Sequence, residues 1–308
     1  MIEIKKNELD KLKIIGKGCC STIYRISEGE ILKMYDKQTR NDLRLVKKEF
    51  EISRVCSELG ILTDRAIDLY ECEGVYGASY EYVSGNTMLD AINCGENISE
   101  MIQELALIGH KIHSISADAT RFPDATSVFD DILRFIKGWV SAAEYEHIKE
   151  LIAVIPRCPR LVHGDFHPGN VIVSNDRFVL IDIGGAGFGH PVFDLISMYR
   201  LMRKSSDAGD KAGIYTKIYD NYLECYFDKS KLLKVGNALT EILEILYYIS
   251  ILPDVTAFFP DRDACTPEII EYVDIMIGKI MGIGVEEFKE LFRKTDELFF
   301  CEACSSST

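Results

Sequence analysis

The chain has 308 residues, 47% of them hydrophobic, and carries 35 Lys and Arg against 49 Asp and Glu, a formal charge of −14. That length allows one large domain or two lobes with a sizeable core, and the absence of any long low-complexity stretch argues against disorder. The negative field repels a nucleic-acid backbone and no Lys/Arg-rich block offsets it, so nucleic acid is not an expected partner.

The start, Met1-Ile-Glu-Ile-Lys-Lys, lacks the apolar core of a signal peptide. Short apolar runs at Leu12 to Ile15, Thr22 to Ile26 and Ile31 to Tyr35 predict strands, separated by Gly-Lys-Gly and by the turn Ser27-Glu-Gly-Glu. A helical repeat follows through Val46, Phe50, Ser53, Val55, Cys56 and Leu59, closed by Gly60. Another strand pair fits Ala66 to Cys72 and Ala78 to Val83, and the composition changes at Ser84-Gly85-Asn86.

From Met88 onward the pattern is mostly helical. Met101, Leu105, Ile108 and Ile112 line one face of a helix over Ile98 to Ile115, with Ser99 as its expected cap. Phe129 to Trp139 and Glu144 to Ile155 read as helices too. One hairpin interrupts them, Val171 to Val173 and Phe178 to Ile181 around Ser-Asn-Asp-Arg, and helices resume after Phe193. The most apolar of these, Ile242 to Leu252, contains Glu244 and falls short of the roughly 18 uninterrupted apolar residues of a membrane span. Ten cysteines without an export signal point to reduced thiols in the cytoplasm. Cys301 and Cys304 form one C-x-x-C pair with no second pair or nearby His, which reads as surface thiols rather than zinc, and the tail from Ser305 reads as frayed. The expected fold is therefore α+β: a small antiparallel β lobe with one helix over residues 1–84, and a large helical lobe over 85–308.

The chemistry concentrates in Leu161-Val-His-Gly-Asp-Phe-His-Pro-Gly-Asn170 and Leu180-Ile-Asp-Ile-Gly184. Phosphoryl transfer needs one carboxylate to orient the attacking hydroxyl and further oxygen ligands to hold Mg²⁺ against nucleotide phosphates. Asp165 and Asn170 lie five positions apart on an irregular loop, and Asp182 ends the second hairpin strand, so the hairpin brings Asn170 and Asp182 to one end. A lone Asp-to-Asn spacing is what any turn uses; here His163, Gly164, His167 and Asp194 stand in register as well. His163 and His167 are spaced i, i+4, but Pro168 and Gly169 break any helix there, so they read as loop-bracing residues rather than zinc ligands.

This wording resembles the aminoglycoside phosphotransferase and choline kinase-like family, of protein-kinase-like fold, whose signature is H-G-D-x-H-x-x-N. The fuller His-Gly-Asp-Phe-His-Pro-Gly-Asn is similar to a bacterial group of phosphotransferase-like proteins. The resemblance implies that Asp165 is the catalytic base, that Asn170 and Asp182 hold Mg²⁺, and that Asp194 is a buried brace for the catalytic loop. It implies a nucleotide-covering loop in Gly16-Lys-Gly-Cys-Cys-Ser-Thr-Ile-Tyr24, where Gly16 and Gly18 are matched but Ser21 replaces the third glycine of the kinase loop; the Ser21 or Thr22 hydroxyl would substitute there. Two glycines alone also serve ordinary turns. Lys33, mid-strand among apolar neighbours, matches the lysine that binds the α/β-phosphates, and a lone lysine there would simply face solvent. Its partner is Glu49 or Glu51 on the next helix, with Glu49 the better fit to the family's placement. Tyr80-Glu-Tyr-Val-Ser-Gly85 resembles the hinge, where a purine of ATP or GTP would bond backbone groups near Tyr80 and Tyr82.

Three function classes compete. A small-molecule kinase, phosphorylating a hydroxyl of an aminoglycoside, amino alcohol or sugar-like acceptor, fits the resemblance, and the acidic balance leans to a cationic acceptor. A protein Ser/Thr kinase fits less well: His-Gly-Asp replaces His-Arg-Asp, no Ala-Pro-Glu follows, and only eleven residues separate Asp182 from Asp194. A silent nucleotide-binding regulator is disfavoured because Lys33, Asp165, Asn170 and Asp182 are all present. Asp254 to Asp263 is a candidate for acceptor recognition and equally a solvated interhelical loop.

Overall fold

A computed structural model of the chain describes residues 1–18, 20–36, 41–174, 177–204, 212–259 and 261–299. Cys301, Cys304, the tail from Ser305, the hairpin tip at Asn175 and Asp176, and Cys19 of the Gly loop lie outside the described residues. In chain order the elements are β1 (Ile2–Glu3), α1 (Lys6–Leu9), β2 (Lys13–Lys17), β3 (Ser21–Arg25), β4 (Glu30–Tyr35), α2 (Leu43–Glu58), β5 (Ala66–Cys72), β6 (Val75–Glu81), β7 (Asn86–Thr87) and α3 (Met88–Asn93). There follow α4 (Ile98–Ser114), α5 (Val128–Ile136), α6 (Ala142–Ala153), β8 (Leu161–Val162), β9 (Val171–Ser174), β10 (Arg177–Leu180) and β11 (Gly187–Phe188). The rest is helical: α7 (Val192–Lys204), α8 (Ala212–Tyr226), α9 (Lys229–Thr256), α10 (Pro267–Met281) and α11 (Val285–Phe299). The expected α+β class, an antiparallel sheet followed by a mainly helical remainder, is what the chain adopts.

The chain forms two compact units, Met1–Asn97 with His167–Ala186, and Ile98–Phe166 with Gly187–Thr308. A division at 84/85 by sequence position groups the β9–β10 hairpin with the helices; by packing, the hairpin belongs to the N-terminal unit.

In the first unit six strands run in the order β1-β5-β6-β4-β3-β2, antiparallel except for β1 beside β5. Alternation along β4 decides what each residue meets. Leu32 and Met34 enter a core with Leu9 and Cys72, while Tyr35 turns to the opposite face and packs with Val46, Phe50, Ala66, Ala78 and Tyr80. Burying each of these larger side chains stabilises the sheet by about 1.5–3 kcal/mol. The helix expected from Val46 starts at Leu43, because the Asp42 side chain accepts the Arg44 N–H at 2.8 Å, and it stops before Gly60, whose φ of +78° suits only glycine without strain. Strand β6 begins at Val75 rather than Ala78. Glu73 and Gly74 both take positive φ (51° and 78°) and close a two-residue hairpin in which Cys72 pairs with Val75. A second sheet, β10-β9-β7, completes the unit.

The second unit is built from α4 to α11, with the short β8–β11 pair. The helix starting at Ile98 places Ser99 inside its first turn, not at the cap. The helix expected to reach Trp139 ends at Ile136; Trp139 is buried in the following turn and donates its backbone N–H to the Ile136 carbonyl at 2.8 Å. By length and composition α9 is long and apolar enough to cross a membrane. It packs instead against α5, α7, α10 and α11, burying Leu239, Ile242, Leu246, Ile249 and Leu252, as the central helix of a core does.

Candidate active site

A cavity of about 420 Å³ opens in the first unit. Lys33 reaches it because it shares the face of β4 that Ile31 and Tyr35 occupy, opposite Leu32 and Met34. Its Nζ donates to Glu49 Oε1 at 2.7 Å and to Asp182 Oδ1 at 2.8 Å. The Lys33 and Glu49 side chains are 16% and 9% exposed, so neither charge could stay there without its partner. Burial works against the Lys33 charge, but Glu49 and Asp182 outweigh it and hold the ammonium well above an ordinary lysine. Glu51, the alternative partner, is exposed on α2.

Asp182 and Asn170 reach the same cavity through the hairpin. Val171 pairs with Leu180, and the Asn170 carbonyl accepts the Ile181 N–H at 3.0 Å, so the two functional side chains flank the end of the ladder. Asp182 takes a left-handed backbone, φ 58° and ψ 39°, at a cost of about 1–3 kcal/mol, which is typical of strain held at a functional position. Gly184 follows because nothing larger fits: a Cβ there would lie 2.2 Å from Glu49 Cγ and 2.6 Å from Cδ.

The remaining expected residues divide. Gly16, Gly18 and Ser21 line the cavity, and the Gly18 N–H closes a tight turn on the Ser21 carbonyl at 2.9 Å. Thr22 does not join them: strand alternation turns it to the other face of the sheet, beside Tyr24 and Met34. Tyr80 and Tyr82 both line the cavity, but the Tyr80 ring belongs to the core, and the Tyr82 N–H is committed to the Gly29 carbonyl at 2.9 Å. The Arg25 guanidinium lies over the Tyr82 ring, 3.3 Å from its centre. His167 braces its own loop, its Nδ1 accepting the Gly169 N–H at 3.0 Å and its carbonyl the Asn170 N–H at 2.9 Å.

Ser53 and Asp64 also line this cavity, and no motif marks them. The Ser53 hydroxyl bridges the Asp64 carbonyl (2.9 Å) and the Ala66 N–H (3.0 Å), fixing the chain where it enters β5. Part of Asp64 reaches solvent, but its carboxyl is desolvated: burial pushes it up to about 8, against the opposing pull of the Thr63 hydroxyl and Lys33.

In the second unit the loop carrying Asp165 is held by Asp194, a fully buried carboxylate on the first turn of α7. Asp194 accepts the His163 N–H at 2.9 Å and the Gly164 N–H at 2.7 Å, and pairs with His113 Nε2 at 2.9 Å. His163, itself buried, accepts the Asp165 N–H on Nδ1 at 3.3 Å. Gly164 supplies the φ of +84° that turns Asp165 outward, where it lines a separate cavity of about 280 Å³. His113 is a third missed residue. Its signal was a histidine on the apolar face of α4, beside Ile112 and Leu105, where only a buried acid can satisfy it. The Asp254 to Asp263 segment is structural where described: Asp254 pairs with Arg200, Asp261 caps a short turn, and Arg262 bonds the Trp139 carbonyl at 2.9 Å.

Among the described residues no trio of His, Cys, Asp and Glu could hold a metal by itself. Asn170 and Asp182 nevertheless offer an amide and a carboxylate oxygen in one cavity, the hard donors with which Mg²⁺ is held when phosphates complete its shell. The donor chemistry therefore fits Mg²⁺ carried by a nucleotide, and does not fit a closed zinc site.

Residues 11–223, more than half of the chain, match the phosphotransferase enzyme family, APH. Among solved structures the chain is similar to ADP-bound aminoglycoside phosphotransferase APH(2'')-Ib, at 18% identity over 92% of this chain and 96% of that one, with a TM-score of 0.58. It is similar to APH(2'')-IIa in its gentamicin complex (17% identity, 94% and 99% coverage, TM-score 0.57) and to APH(2'')-IIIa with GDP and kanamycin (12%, 88% and 93%, TM-score 0.51). At these identities the structures establish the protein-kinase-like fold. A comparison with curated proteins finds no match. The family match spans the Lys33 cluster and the Asp165 loop alike, and the chain belongs to the phosphotransferase enzyme family, the aminoglycoside phosphotransferase-like kinases.

Proposed function

We propose that the protein transfers the γ-phosphoryl group of Mg·ATP or Mg·GTP to a hydroxyl of a small molecule. The observation that carries this reading is the Lys33–Glu49–Asp182 cluster with Asn170 in one cavity, an ammonium held between two carboxylates beside an amide. The nucleotide-binding part comprises residues 1–84 with the hairpin that bears Asn170 and Asp182. Lys33 positions the phosphates, Glu49 fixes Lys33, and the turn that carries Gly16, Gly18 and Ser21 covers the phosphates. The purine bonds the backbone near Tyr80 to Val83. Asn170 and Asp182 would hold Mg²⁺, which when bound offsets charge developing on the phosphate oxygens.

Asp165 orients the acceptor hydroxyl. The acceptor oxygen bonds to the γ-phosphorus as the bond to the bridging oxygen breaks, and the hydroxyl proton passes to the Asp165 carboxylate, with the nucleoside diphosphate leaving. Asp194, with His163 and Gly164, keeps Asp165 in place. The bound ADP and GDP of the similar structures support a purine nucleotide, and their gentamicin and kanamycin support a small-molecule acceptor. The enzyme works in the cytoplasm, where a chain with ten cysteines keeps its thiols reduced. The test is a coupled nucleotide-turnover assay with Mg·ATP and Mg·GTP over a panel of hydroxyl compounds. Acceptor-dependent turnover that D165A abolishes supports the reading; turnover that survives D165A removes Asp165 from the mechanism.

A further inference from the structure

We infer that the acceptor is a small alcohol with an apolar, aryl or branched-alkyl body, rather than a polycation. The inference rests on the reading of Asp165 as the residue that meets the acceptor hydroxyl. The cavity that Asp165 lines lies wholly among residues of the second unit and measures about 280 Å³.

Its wall is mostly hydrocarbon. Phe129, Ile132, Phe193 and Ile196 are buried with faces on the cavity, while Val128 and Phe135 stand at 52% and 41% exposure beside it. The charges on the wall are largely matched from outside. Asp131 pairs with Arg134 at 2.9 Å and Arg200 with Asp254 at 3.0 Å, neither partner lining the cavity. A ligand with several ammonium groups needs several carboxylates in reach; this wall offers two, Asp131 and Asp165, and it adds the Arg200 guanidinium, which repels cations. The chain's charge of −14 is therefore not concentrated here, and the overall acidity does not predict the acceptor. Burying an apolar body against four such side chains supplies affinity, and Asp165 orients the hydroxyl on a wall that also carries Ser197 and Ser250.

The full-length protein, with Mg·ATP and Mg·GTP, is assayed with 2-phenylethanol and 3-methylbutan-1-ol as apolar probes and kanamycin as the polycation. Direct binding of each is measured by calorimetry. The inference expects binding and turnover of at least one apolar alcohol and neither with kanamycin. Phe135→Ser should raise KM for the alcohol roughly tenfold and lower kcat far less, with Phe135→Leu restoring it. Phe135→Asp should weaken the alcohol further and improve kanamycin. Turnover of kanamycin alone, unchanged in the Phe135 variants, overturns the inference and leaves the kinase reading intact. An apolar alcohol that binds, is displaced by Phe135→Asp and is never phosphorylated overturns the kinase reading and upholds the ligand class. No binding of either alcohol overturns the inference.

Discussion

The two cavities differ in how they are built. The one in the first unit is organised by charge: Lys33 is bonded to both Glu49 and Asp182, and Asp64 and Asn170 line the same space. The one in the second unit is organised by helix faces, with aromatic and branched side chains of α5 and α7 around a single outward-turned Asp165. Phosphate and metal binding require fixed charges whose desolvation must be compensated by partners, so the residues are few and irreplaceable. Binding an apolar body requires only shape and hydrocarbon, which many residue combinations supply. The first kind of site is written in short motifs and the second is not.

The comparison breaks most sharply at Asp165. D165A should lower kcat by about 10²–10⁴-fold and leave nucleotide affinity within about twofold, in steady-state kinetics beside calorimetry. Next in size is K33A, which would remove the proposed charge-assisted contact to phosphate and leaves Glu49 without its cation; Mg·ATP affinity should fall about 10–100-fold. Gly184→Ala sharpens the claim that Glu49 is held by steric fit as well as by charge. It should cost about 1–3 kcal/mol in denaturant unfolding, and less when combined with Glu49→Ala, because the two changes act on one contact.

The remaining prediction is a pH dependence. The Asp64 carboxyl sits at about 8 in the folded protein against an ordinary 3.8, so its contribution is fully present below the lower value and is lost as the pH rises through the higher one. Asp64→Asn stays neutral throughout. The variant's Tm should match the wild type near pH 4 and exceed it increasingly toward pH 9; a constant difference would mean that Asp64 is ionised in the fold.

Part of the first cavity was legible in the sequence. Alternation on β4 and the register of the hairpin are consequences of strand geometry and bring Lys33, Asn170 and Asp182 to one cavity, while the roles expected of them came from the family resemblance, since a lone mid-strand lysine reads as solvent-facing. The same alternation, applied at β3, would have separated Ser21 from Thr22. Asp64 and His113 were out of reach because each depends on what burial brings beside it, Lys33 in one case and Asp194 in the other. The start of β6 was missed because Glu73-Gly74 is not a common turn pair. The apolar cavity was unreadable because Phe129, Ile132, Phe193 and Ile196 look like any core stripe until packing leaves a space beside them.

The most direct test of the account is a calorimetric titration of Mg·ATP, with Mg·GTP in parallel, into the wild type, K33A and D165A. The account predicts that D165A binds nucleotide as the wild type does while K33A binds at least tenfold more weakly. Equal binding by K33A and the wild type, or loss of binding in D165A alone, would contradict the assignment of the nucleotide to the Lys33 cavity.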